Sequence, residues 1–170
     1  MSYHQFGIDP VYFQGAAGGL PAAQRAIAIG LALHAERIAA DTPQFAHELL
    51  AVAEFSANLA ASHGDPADDA LTGLVLALRS VLLDASDPVR ALGYRTDAMA
   101  ALNAAAKTGD VDALRTVALA YSRLADAGDD EAATRLNFVV GALPPEEAVQ
   151  LREVMRQDAT ERRATLVQGG

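Results

Sequence analysis

The chain has 170 residues and a formal net charge of −9, from 13 Lys and Arg against 22 Asp and Glu. Its basic residues are scattered, which argues against nucleic acid and against an anionic membrane surface, since both are held by clustered cations. The absence of cysteine excludes disulfides, thiolate metal sites and cysteine nucleophiles together, and a reducing, cytoplasmic setting is the expectation.

The first 20 residues lack a basic start followed by an apolar run, so no secretory signal is expected. Residues 1–19 read instead as an aromatic N-terminal arm carrying Tyr3, Phe6, Tyr12 and Phe13, with Gly15, Gly18 and Gly19 as a flexible joint. Such an arm is too apolar to stay in water. It is expected to dock, on its own bundle or as a set of anchors in a partner.

Residues 20–170 read as one helical domain. Pro21, Pro43, Pro66 and Pro88 recur every 22 or 23 residues, and proline is favoured at the first helical position. Thr42, Asp65 and Asp87 precede three of them as N-cap residues, while Gly64 and Gly109 occupy helix-ending positions. The helices predicted are residues 21–40, 43–62, 66–84, 88–107, 111–126, 130–142 and 145–166. No window alternates with period two, so no strand is predicted. The fold class is all-α: six or seven antiparallel helices, arranged as stacked hairpins or as a compact up-and-down bundle.

Leu71–Leu83 is the most continuously apolar stretch and is predicted to be the central helix. Leu71, Leu74, Val75, Leu78 and Leu82 share one face, and only Thr72, Arg79 and Ser80 are polar. The final helix turns polar after Met155, and an Asp158–Arg162 pair suits an end that projects into solvent.

Taken two at a time, the helices repeat. Residues 21–65 laid over 66–110 without gaps give fourteen identities, including Leu31-Ala32-Leu33 on Leu76-Ala77-Leu78 and Asn58 on Asn103. A period near 45 suits a two-helix unit that cannot bury its apolar face alone. Asp87-Pro88-Val89-Arg90, then Ala100-Ala101-Leu102 and Thr108-Gly109-Asp110, resembles a HEAT-type repeat. The resemblance implies stacked hairpins with a protein-binding surface, and it implies no chemistry and no cofactor.

Chemistry-bearing residues are sparse. His34 and His47 lie at similar height on adjacent helices either side of a short turn and meet if their faces point inward; with Glu54 two helical turns beyond His47, a two-His, one-carboxylate metal site is conceivable. His47-Glu48-Leu49-Leu50-Ala51 begins like a zinc-protease helix, but Ala51 stands where the second histidine is required. Arg79, Tyr94 and Arg95 form a candidate ligand-binding set, because an arginine within an apolar helix must pair or reach out. The acidic clusters fall at helix starts, where carboxylates cap free N–H groups.

The expectation is a non-enzymatic scaffold or adaptor that binds a protein partner, or a second copy, through a helix face and the aromatic arm. The alternative is a bundle that holds a small apolar ligand or cofactor around Leu71–Leu83. An apolar cavity of several hundred Å³ within the bundle favours the alternative.

Overall fold

The computed structural model describes residues 9–168, with side chains for residue 9 and residues 11–160. The described residues form eight helices and no strand: α1 Pro10–Ala17, α2 Pro21–Ile38, α3 Pro43–Ala61, α4 Pro66–Leu83, α5 Pro88–Ala106, α6 Val111–Asp126, α7 Asp130–Ala142 and α8 Pro145–Gln168. Seven begin where the sequence predicts. Asp65, Asp87, Asp110 and Asp129 each accept a hydrogen bond from a backbone N–H in the first turn of the following helix. Gly64 and Gly109 take φ of +82° and +72°, the left-handed conformation that ends α3 and α5. Thr42 departs from expectation. It holds the N-cap position of α3, but its hydroxyl donates to the Ile38 carbonyl and leaves the helix start without a side-chain cap.

The helix count is eight rather than six or seven because residues 10–17 are helical. Asp9 caps α1 by accepting from the Val11 N–H, and Gly15 lies inside the helix rather than in a joint. A Cβ at Gly15 would lie 3.0 Å from that of Ala23, so the missing side chain lets α1 sit close on α2. Phe13 and Ala16 pack against the core, while Tyr12 is exposed. Tyr3 and Phe6 lie outside the described residues.

α4 is the hub. It packs against α2, α3, α5 and α6, and its run from Leu74 to Ser80 is buried without a break. This follows from a helix that is apolar nearly all round. Alanine sets the spacing elsewhere: α3 buries Ala46, Ala53, Ala57 and Ala60, and α5 buries Ala91, Ala98, Leu102 and Ala105, at positions 45 residues on. α2 and α6 flank α4, and α7 doubles back on α6. α8 runs parallel to α6, since Arg115 pairs with Glu147 and Arg123 with Asp158, in step along both helices. Asp158 thus ties α8 to Arg123 of α6, while the Arg162 side chain with which the sequence pairs it lies outside the described ones. No helix among the described residues is long and apolar enough to cross a membrane.

Candidate functional site

α2 and α6 are not closely packed on each other, and the space between them, floored by α4, is a cavity of about 440 Å³. The floor is Leu71, Leu74 and Leu78, three members of the apolar face that marks the central helix in the sequence. Ile29 and Leu33 of α2 form one wall, and Leu119 of α6 contributes to the other. The lining residues Arg25 to Arg123 span the length of the groove, since Arg25 and Glu36 on α2 are separated by about 16 Å of helix. An apolar trough of this size with polar groups at its ends has the make-up of a small-molecule site. A wider and shallower groove of about 550 Å³ lies between α5 and α7, but Tyr121 and Arg135 there both bond to Asn103.

Three arginines border the trough, and each is shared by two carboxylates. Arg25 bonds to Asp68 at 2.5 Å and to Asp65 at 2.8 Å, tying α2 to the start of α4. Asp68 is fully buried, and its hydrogen bond holds the Arg25 guanidinium above the ordinary arginine range. Arg115 bonds to Asp112 at 2.8 Å and to Glu147 of α8. Arg123 lies between Glu36 of α2 and Asp158 of α8, 2.5 Å from each, and is only 5% exposed. Burial opposes its charge, but the two carboxylates outweigh burial and hold its pKa above the ordinary value. Glu36 and Arg123 also close one end of the trough; a smaller space of about 190 Å³ lies beyond them.

The residues singled out in the sequence sort differently. His47, Glu54, Arg79 and Tyr94 meet on the other side of α4. Arg79 pairs with Glu54, its Nη2 lies 3.5 Å from His47 Nε2, and its guanidinium stacks 4.2 Å above the Tyr94 ring. A carboxylate on α3 neutralises this arginine buried in the hub, and an aromatic face on α5 covers it. Arg95 does not join them; it points to Asp84 and Asp129. His34 is also apart, with its Nδ1 3.4 Å from Arg37 on its own helix. Equal height across a hairpin does not fix azimuth: His47 turns toward Arg79 of α4, and His34 lies beside Arg37 of its own helix. Among the described residues, no group of three or more His, Asp or Glu side chains is placed to hold a metal ion.

The cluster has a pH consequence. Burial, then the charges of Arg79 and Arg90, hold the His47 pKa below 6.5. The unfolded chain therefore binds a proton first as pH falls, so this histidine's contribution is intact above about pH 6.5 and is lost on acidification through the lower folded value. Replacing it, as in His47→Gln, is expected to flatten the dependence of melting temperature on pH below 6.5, read by calorimetry. An unchanged slope would place the acid sensitivity elsewhere.

Sequence reasoning passed over Arg115 and Arg123. Both lie on the polar face of α6, opposite the buried Leu114, Val117 and Tyr121, where a solvated side chain is the ordinary expectation. Their partners Glu147 and Asp158 belong to a helix two turns of chain later, so no local pattern links them. Neither a family model, a curated protein nor a solved structure matches this chain.

Proposed function

We propose that the protein is a helical binding module whose trough between α2 and α6 takes a small ligand with an apolar body. The observation that carries this reading is the leucine-floored cavity of about 440 Å³. Its volume falls in the range of small-molecule pockets, and the work it supports is burial of apolar surface. Hydrogen-bonding groups sit at the ends and rim, where they orient a ligand without adding a reactive centre. The reading is of binding, with no catalytic residue assigned.

Leu33 lines the trough and is 42% exposed, so it can be enlarged without disturbing the core. Leu33→Trp is expected to fill part of the cavity and weaken binding of decan-1-ol by about tenfold or more, with folding stability within ~0.5 kcal/mol of the parent. Isothermal titration calorimetry and urea unfolding read the two quantities. Unchanged decanol affinity would remove the trough as the site.

One observation favours a second reading, a protein adaptor. Phe45, Val52, Phe55 and Leu59 form an exposed apolar stripe along α3, away from the trough. Helical spacing of this kind suits docking of a partner helix, and tandem hairpins of the HEAT type present such faces. A partner held by that stripe would be indifferent to Leu33→Trp, which separates the two readings.

A further inference from the structure

We infer that the ligand of the trough carries a positive charge: an apolar chain with an ammonium head, rather than a fatty acid or a neutral lipid. This inference rests on the trough being the binding site and adds the charge of the occupant. Each arginine at the rim is already shared by two carboxylates, and Asp110, which caps α6 and also lines the trough, adds a seventh. Among the described residues, the five carboxylates Asp65, Asp68, Asp110, Asp112 and Glu147 outnumber the guanidinium groups of Arg25 and Arg115 by three. No arginine at the rim is left without a carboxylate to take up an incoming anion. An anionic head must displace Asp112, Glu147 or Glu36 from an arginine and meet the repulsion of the rest. An ammonium head instead finds carboxylates whose lone pairs exceed the donors offered to them, and it relieves their mutual repulsion.

The surplus is largest at the end where α4 and α6 begin. Arg25 and Arg115 there stand among Asp65, Asp68, Asp110, Asp112 and Glu147. Leu71 and Leu74 follow one and two turns into α4, so a head at this end places its chain along the leucine floor toward Glu36 and Arg123. The charged rim and the apolar floor thus read as the two halves of one amphiphile.

The test compares three ten-carbon probes by calorimetry at low salt, below their micelle-forming concentrations: decylamine (protonated at pH 7), decanoate and decan-1-ol. The expected order is decylamine, then decanol, then decanoate, with the amine about tenfold or more tighter than the acid and the gap narrowing at high salt. Asp112→Asn combined with Glu147→Gln takes both carboxylates from Arg115 at the rim, and is expected to reduce the amine preference several-fold. If decanol binds but amine and acid bind alike, the charge inference falls and the apolar trough stands. If none of the three binds, both fall. Equal binding of decylamine by the parent and the Leu33→Trp protein would mark adhesion to an acidic surface and overturn the inference as well.

Discussion

Leu102→Ala is expected to lower folding stability by about 3 kcal/mol, the middle of the range for a fully buried leucine. Leu102 of α5 is completely buried and lies over Gly73 of α4. A Cβ at Gly73 would come within 2.7 Å of the Leu102 Cγ and 3.3 Å of its backbone nitrogen. The glycine is therefore the hole that admits the leucine and lets the two helices approach. Gly73→Ala alone gains about 1 kcal/mol of helix propensity but overpacks the contact by about 1–3 kcal/mol, for a net loss. In the Leu102→Ala background the same change is expected to be neutral or stabilising, because the new methyl enters vacated space. Urea unfolding of the four proteins gives the coupling directly. Additive effects would mean that Gly73 is not there for Leu102.

Arg123→Met has the next largest expected effect, about 2 kcal/mol, and it should be local. Removing one partner of a buried ion pair costs about 3–5 kcal/mol where the charge left behind stays dry. Here Glu36 and Asp158 retain 25% and 30% exposure and can rehydrate, which brings the figure down. Among the described residues, α8 has little else to hold it: Ala148 is buried and Leu151 half-buried, Val149 and Val154 are exposed, and the other ion pair to α6 is Arg115–Glu147. Hydrogen exchange should show α8 losing protection while α4 keeps it, because a weakly packed element opens below the global unfolding free energy. Equal loss in α4 and α8 would show Arg123 acting on the whole fold instead.

Helix starts were legible because separate chemical signals mark them, and at one start three coincide. At Gly64-Asp65-Pro66 the glycine supplies a left-handed turn, the aspartate caps, and the proline spares an N–H that needs no partner. Asp9-Pro10 carries the same cap and proline at α1, where the aromatic residues and Gly15 drew the reading toward an arm. The hub was legible too, since only burial on most sides accommodates Leu71–Leu83. What the sequence could not show was the gap between α2 and α6. That gap depends on how far two non-adjacent helices stand apart on α4, and no periodicity encodes it. The pairing of His47 and Glu54 with Arg79 was hidden for a related reason: the first two were grouped as metal ligands and Arg79 with a separate ligand-binding set, and only the fold brings them together.

That the trough is a ligand site is tested most directly by titrating decan-1-ol into the methyl-labelled protein and following each methyl resonance by NMR. Saturating shifts are expected at Ile29, Leu33, Leu71, Leu74, Leu78 and Leu119, which line the trough, with Val52 and Leu59 on α3 unmoved. Shifts centred on Val52 and Leu59 of the α3 stripe, or no saturable shifts at all, would contradict it.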